Sequence, residues 1–130
     1  MKSVFQISHY IYTQPLHVKK IKEFLNKNNI EYELEKRFTD CKNLKGNRIL
    51  PFDFYLPYYN LCIEYDGEHH YNSNTIWGGD EFLNKMIIHD KIKNDYCNFN
   101  KIKLFRISYK DKGKIENKLN EYFQLNNFAI

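Results

Sequence analysis

The chain has 130 residues, of which 42% are hydrophobic, which is enough for one domain with a single core spanning residues 1–130, with residues 1–16 as an N-terminal extension. Lys and Arg (20) outnumber Asp and Glu (16), and the net charge of +4 suits an anionic partner such as nucleic acid. No apolar run approaches the ~20 residues of a membrane span, and no signal peptide is evident, so we expect a cytoplasmic, intracellular protein without membrane contact.

The first predicted elements are an amphipathic helix and a strand. Residues 17–28 place apolar side chains at helical spacing, with lysines on the opposite face. The apolar face of this helix consists of Val18, Ile21, Phe24 and Leu25. Residues 30–38 alternate apolar and acidic side chains, which predicts a half-buried strand that carries Glu35. Residues 39–47 are predicted to form a polar loop.

A hairpin, a long helix, a strand and a last helix complete the predicted order. Their ranges are 50–56 and 60–66 for the hairpin, 80–99 for the helix, 101–108 for the strand and 112–124 for the last helix. Pro51 and Pro57 bracket the first hairpin strand and disfavour a helix there. Asp80 follows Gly78 and Gly79 and is the predicted N-cap of the long helix. This order predicts an α/β (α+β) class with a mixed β-sheet core flanked by helices.

The three cysteines are too widely spaced for a disulfide framework or a zinc site. Cys41, Cys62 and Cys97 form no CxxC pair, and their number is odd. We therefore expect reduced thiols that pack as small apolar side chains.

Residues 51–71, PFDFYLPYYNLCIEYDGEHHY, place three acids in a hairpin that is otherwise apolar. Because side chains alternate across a strand, Asp53 should face away from the apolar stripe, and Glu64 and Asp66 should share one face. The apolar residues expected on the opposite faces are Phe52, Phe54, Leu56, Leu61, Ile63 and Tyr65. Acids this close repel one another unless a cation lies between them, which indicates a hard metal such as Mg²⁺. The alternative is the polar face of an exposed hairpin.

Two histidines follow the predicted hairpin directly. Gly67 ends the strand, so His69 and His70 should lie at its mouth, close to the acids. The near-neutral pKa of histidine suits a general base or a general acid. Adjacent side chains usually point in opposite directions, so at most one of the two histidines is expected to be catalytic.

The long helix places one acid on its predicted inward stripe. That stripe consists of Leu83, Ile87, Asp90, Asn94 and Cys97. Asp90 either caps a buried polar group or faces the same site as the hairpin acids. Lys91, Lys93 and Arg106 add positive charge nearby in sequence, and a solvated basic face is the ordinary alternative for each of them.

The chain contains a pattern that begins with an Asp on one strand. It continues with Glu-x-Asp-Gly-x-x-His at the end of the next strand, and it ends with a helix that carries an Asp and precedes a KLFRI strand. In this chain it comprises Asp53, IEYDGEHHY and HDKIKNDYCNFNKIKLFRI. The pattern resembles the PD-(D/E)XK nuclease superfamily, especially the branch of very-short-patch repair endonucleases and EDxHD homing nucleases. The resemblance covers residues 17–109. It implies a restriction-endonuclease-like sheet and a DNA endonuclease that uses Mg²⁺, with Mn²⁺ as a substitute.

The resemblance implies a role for each residue of the pattern. Asp53, Glu64 and Asp66 would hold the metal. His70, rather than His69, would activate water or protonate the leaving group, assisted by Asp90. Glu35 falls where relatives carry a polar active-site residue. The implied catalytic set is thus Asp53, Glu64, Asp66, His70, Asp90 and Glu35, and the side chains expected to grip DNA phosphates are Lys91, Lys93 and Arg106.

The chain also departs from the family pattern. Asp66 stands where the standard superfamily lysine would be, which fits the histidine-using branch. Val18 stands where repair-type relatives carry a glutamate in the first helix, a role for which Glu35 is the candidate substitute. The cysteine-rich zinc site of repair endonucleases is missing, so strict mismatch repair is not expected.

These observations favour a metal-dependent DNA endonuclease of a phage, homing or restriction type, for which DNA is the partner. A catalytically silent nucleic-acid-binding module with the same fold is the alternative, supported by the missing lysine and by Val18. A metal-binding structural protein is a weaker third option. Target recognition would come from loops, from a homodimer or from a larger DNA-processing partner, since a core of this size leaves room for little else.

Overall fold

The computed structural model describes residues 14–68 and 79–129. The helices and strands in these ranges are α1 (Leu16–Lys27), β1 (Glu33–Asn43), β2 (Arg48–Leu56), β3 (Leu61–Asp66), α2 (Gly79–Phe99), β4 (Lys103–Ser108) and α3 (Ile115–Leu125). Single 3₁₀ turns at Pro57–Tyr59 and Tyr109–Asp111 follow β2 and β4. The predicted mixed α/β class is confirmed. None of the helices described is both long enough and apolar enough to cross a membrane.

The four described strands form one sheet in the order β1-β2-β3-β4. β1 and β2 are antiparallel, as are β2 and β3, whereas β3 and β4 are parallel. A parallel pair needs a crossover connection, and α2 lies in the segment that joins β3 to β4. The β3–β4 register pairs Glu64 with Arg106 and Asp66 with Ser108. The crossover thus brings the acids of β3 beside a cation of β4.

Two clusters of buried side chains lie on the two faces of the sheet. Helices α1 and α3 pack on one face, and α2 packs on the other. The cluster under α1 and α3 contains Ile21, Phe24, Leu25, Ile30, Phe54, Leu56, Leu61, Ile63, Ile107, Ile115, Leu119 and Phe123. The cluster under α2 contains Cys41, Leu50, Phe52, Cys62 and Cys97. All three cysteines are buried free thiols, as the sequence predicts.

Strand β3 alternates as predicted, but β2 does so only in part. The β3 residues that pack towards α1 and α3 are Leu61, Ile63 and Tyr65, and those on the α2 side are Cys62, Glu64 and Asp66. On β2, Phe54 and Leu56 join the α1 and α3 side, whereas Phe52 belongs to the other cluster, so its predicted face is wrong. The alternation changes at Asp53, whose backbone N–H donates to the Glu64 side chain.

The largest difference from the predicted elements lies in residues 39–47. β1 continues through this segment as far as Asn43, so the predicted loop is wrong. The strand remains paired with β2 because its register shifts between Arg37 and Lys42. Cys41 is buried there. Because this segment is polar, its sequence did not indicate that it forms the second half of a β-strand.

The predicted ends of several elements are displaced by a few residues. Helix α2 begins at Gly79, so Asp80 lies in its first turn and is not its N-cap. A carboxylate there still interacts favourably with the helix dipole. The last helix begins at Ile115, later than the predicted residue 112, because Lys112 is still the C-cap of the 3₁₀ turn Tyr109–Asp111.

Candidate active site

The β2–β3 hairpin opens at one end, and two acids lie at the opening. Backbone pairing of the two strands ends at Phe54 and Ile63. At the next position the N–H of Asp53 donates to Glu64 Oε2 at 2.7 Å, and the N–H of Tyr65 donates to Asp53 Oδ2 at 2.8 Å. Each carboxylate thus satisfies a backbone donor of the opposite strand, which an opened ladder would otherwise leave without a partner. These bonds hold Asp53 and Glu64 beside each other.

The environment of Asp53 favours the protonated form of its carboxyl group. Removal from water, followed by the charge of Glu64, raises the pKa of Asp53 from 3.8 to about 7, while the Tyr65 N–H and Lys93 oppose this rise. Two neighbouring carboxylates that cannot both ionise freely are typical of functional sites.

Lys93 of α2 reaches into the site and pairs with Glu64. Its Nζ lies 2.5 Å from Glu64 Oε1, and the side chains of Lys93 and Glu64 are only 14% and 5% exposed. The same Nζ lies 5.4 Å from the centre of the Phe52 ring. Lys93 therefore lies inside the site and not on a solvated basic face.

Arg106 of β4 holds the remaining acids together. Its Nη1 donates to Asp66 Oδ1 at 2.8 Å and lies 3.5 Å from Asp90 Oδ1. Its Nε and Nη2 donate to Asn94 Oδ1 at 3.1 and 3.0 Å. Asp66 is buried. The guanidinium fork thus ties β3 to α2, and Asp90 lies beside the same guanidinium group that binds Asp66.

The inward face of α2 is more polar than the sequence stripe suggested. Ile87, predicted to face inward, is exposed. Lys93 and Cys97, four residues apart, face the sheet. Lys91 is 74% exposed and pairs with Asp95 at 2.7 Å, so it lies on the outer surface. Of the three predicted DNA contacts, Lys91 is thus the one at the surface, while Lys93 and Arg106 pair with site acids.

A cavity of about 310 Å³ adjoins Asp53. Its lining residues are Gln14, Pro15, Val18, Leu34, Glu35, Asp53 and Phe54. Glu35 and Val18 therefore lie at the same cavity. Glu35 adopts a left-handed backbone conformation, with φ of 48°, which is uncommon for a residue with a side chain. Leu34, an apolar residue of the strand predicted over 30–38 to be half-buried, is 43% exposed.

His17 is a residue of the site that the sequence pattern did not reveal. At the start of α1, its ring stacks on Tyr65 with centroids 4.0 Å apart and an interplanar angle of 5°. Burial lowers the pKa of His17. The available signal was its position four residues before the inward-facing Ile21. His70, the predicted catalytic histidine, and its neighbour His69 lie outside the described residues.

The described acids fit a divalent metal as a pair rather than as a closed cage. Among the residues that the structure describes, no group of three His, Cys, Asp or Glu side chains is close enough to hold an ion. Mg²⁺ commonly binds through one or two carboxylates and completes its shell with water and substrate phosphates. Asp53 and Glu64 supply such hard oxygen donors side by side, beside a cavity. Asp66 fits less well because its carboxylate accepts from Arg106.

Comparisons with known proteins leave the family open, because no family model, no curated protein and no solved structure matches the chain.

Proposed function

We propose that the chain is a metal-dependent DNA endonuclease with a restriction-endonuclease-like core, which hydrolyses phosphodiester bonds. The observation that carries this proposal is the carboxylate pair Asp53 and Glu64, fixed at the opening of two strands beside a cavity. A structural role alone does not account for a buried Asp53 whose pKa is raised by burial and by the charge of Glu64 beside it. The resemblance to PD-(D/E)XK nucleases gives such a pair a use.

Asp53 and Glu64 are the residues that would hold Mg²⁺ or Mn²⁺, with Asp66 as the weaker third candidate. When bound, a divalent ion supplies charge for a phosphoryl oxygen and lowers the pKa of water. The Tyr65 N–H orients the Asp53 carboxylate, and the Asp53 N–H orients that of Glu64. The protein thus fixes both donors before substrate arrives, which is how active sites avoid reorganisation.

Proton transfer is assigned to His70, on the resemblance and on the chemistry of imidazole. It would take a proton from the attacking water or give one to the leaving oxygen. Asp90 is held near β3 by Arg106 and would assist electrostatically. Lys91, which is exposed on the outer surface of α2, would contact the phosphate backbone, and Arg106 and Lys93 would act nearer the acids.

The test is cleavage of supercoiled plasmid by the wild type, Asp53→Asn and Asp95→Asn, each with Mg²⁺, with Mn²⁺ and with EDTA. The amide oxygen that Asp53→Asn introduces can still accept from the Tyr65 N–H, so the fold should be kept. We expect metal-dependent cleavage that Asp53→Asn lowers by about 100-fold or more, the scale of one lost electrostatic group. Asp95 is an exposed acid of α2 outside the carboxylate pair, and its loss frees Lys91, so its variant should cleave at least as well as the wild type. Full activity in Asp53→Asn would sink the assignment.

A silent DNA-binding module is the second candidate, and one observation favours it. Each described acid of the site already has a partner: Tyr65 N–H for Asp53, Lys93 for Glu64, and Arg106 for Asp66 and Asp90. These four acids thus have hydrogen-bond or ion-pair partners without a metal. Salt-sensitive DNA binding without cleavage in any metal would select this candidate.

A further inference from the structure

Both carboxylate oxygens of Glu64 are engaged. Oε2 accepts the N–H of Asp53, and Oε1 accepts from Lys93 Nζ. The backbone bond is part of the hairpin and cannot leave without opening the strands further. The bond to Lys93 is the one that can be exchanged, because it comes from a separate helix through a flexible side chain.

Lys93 is held far less firmly than the other buried cation of the site. Arg106 donates to Asp66, to Asn94 and to the backbone carbonyl of Asp90. Within the described residues, the Lys93 side chain makes one hydrogen bond, to Glu64. Its side chain keeps 14% exposure, and its flexible stem allows the ammonium group to turn outward towards an anion at the surface.

An ammonium group on Oε1 opposes a second cation there in two ways. It occupies the lone-pair direction that a metal ion would use, and its positive charge repels that ion at close range, where solvent screens little. A DNA phosphate is an alternative acceptor for lysine. When the phosphate takes Lys93, Glu64 regains an open oxygen beside Asp53.

We propose that Lys93 competes with the divalent cation for Glu64, and that DNA relieves this competition by drawing Lys93 onto a phosphate, so that DNA and metal bind cooperatively. This inference rests on the proposed function, since it assumes that the chain binds both. It assigns Lys93 a positioning role inside the site, in addition to its charge.

Mn²⁺ binding, followed by the loss of the free-ion EPR signal, tests the coupling directly. The wild type, Lys93→Met and Lys91→Met are titrated with MnCl₂, with and without a short DNA duplex, and DNA alone is the blank. The pH is kept above about 8, so that Asp53, with its pKa of about 7, is ionised in every sample. Lys91 is the matched control because it lies two residues away on the outer surface of the same helix.

For the wild type we expect DNA to tighten Mn²⁺ binding by about tenfold, within the usual range of coupling between two sites. Lys93→Met should bind Mn²⁺ about tenfold more tightly without DNA, and DNA should then add little. Lys91→Met should retain the wild-type coupling even if it binds DNA more weakly. By linkage, Mn²⁺ must tighten DNA binding by the same factor.

Two results would overturn the inference while leaving the nuclease proposal intact: wild-type protein that binds Mn²⁺ and DNA independently, or Lys93→Met with unchanged coupling. The first needs no variant, so it decides even if Lys93→Met fails to fold with Glu64 left unpaired. Wild-type protein that binds neither Mn²⁺ nor DNA overturns both proposals. If the protein cleaves plasmid but binds Mn²⁺ and DNA independently, only the proposed role of Lys93 is overturned.

Discussion

At the scale of single residues, Asp53 combines a structural bond with an unfavourable charge. Its Oδ2 accepts the Tyr65 N–H and so helps to close the open end of the hairpin. Its ionised form is nevertheless disfavoured, because little water reaches it and Glu64 lies beside it. A side chain that accepts the same hydrogen bond at this position but carries no charge should therefore stabilise the folded protein more than Asp53 does.

We predict that Asp53→Asn is more stable than the wild type at neutral and alkaline pH. The raised pKa means that the folded protein binds the Asp53 proton more tightly than the unfolded chain does. The free energy of unfolding of the wild type should therefore fall as the pH rises from about 4 to about 7, and this contribution should then level off. The variant lacks this loss, so its free energy of unfolding above neutral pH should exceed that of the wild type by on the order of 2 kcal/mol.

Thermal melts of both proteins in EDTA, at pH values on either side of this range, check the prediction. The two stabilities should converge in acid, where Asp53 is protonated and resembles the amide. A constant difference at every pH would show instead that the substitution acts through packing.

Which site residues could be read from the sequence depended on whether their position follows from strand alternation. Glu64 and Asp66 do share a face, because β3 is regular. Lys93 looked like one lysine of a solvated face, since nothing local shows that its acidic partner lies 29 residues earlier. His17 was hidden for the same reason, because its stacking partner Tyr65 belongs to a distant strand.

At the scale of elements, β1 shows what periodicity cannot detect. A strand predicted from alternation should end where alternation ends, yet β1 continues through a register shift after Arg37. Irregular strands break the two-residue period that reveals them. The left-handed Glu35 is another such irregularity, and it lies in the strand beside Asp53, at the cavity.

We predict that Glu35→Gly stabilises the protein by about 1 kcal/mol, because glycine adopts positive φ without the penalty that a side chain carries. The matched control is Asn47→Gly. Asn47 also has positive φ, at 52°, but asparagine tolerates this conformation, so its gain should be smaller. Urea unfolding midpoints give both values.

The Glu35→Gly variant also distinguishes backbone strain at Glu35 from a catalytic role of its side chain at the cavity. If Glu35 takes part in catalysis, Glu35→Gly should gain stability and lose plasmid cleavage together. A loss of stability would show that the Glu35 side chain supports the fold, and would contradict the interpretation of its backbone as strained.

At the scale of the whole molecule, the pairing of buried charges leaves the net positive charge to the outer surface. Glu64 and Asp66 are buried against Lys93 and Arg106, so these two pairs cancel. With a net charge of +4, the surface should bind DNA mainly through phosphates. Lys91, at the outer face of α2, is the described residue that we propose as one such phosphate contact.

We predict that DNA affinity falls linearly with salt on a double-logarithmic plot, and that Lys91→Met makes the slope shallower by about 0.9, the value of one phosphate contact. Lys27→Met is the control, since Lys27 is exposed on α1, on the other face of the sheet. Fluorescence anisotropy with labelled duplex measures both. A change in slope for Lys27→Met alone would place the DNA on the α1 side.

The crossover between β3 and β4 also sets the order in which the site can assemble during folding. Asp53 and Glu64 meet through a hairpin with a short turn, whereas Lys93 and Arg106 arrive only after the chain has crossed over. Closing that long connection is entropically costly, and parallel pairing across it is slow. The hairpin can therefore begin to form while the cationic partners of its two acids are still absent. We expect the end of the hairpin that carries Asp53 and Glu64 to close only once α2 and β4 have docked, which makes the charged centre of the molecule one of the last parts of the sheet to become native.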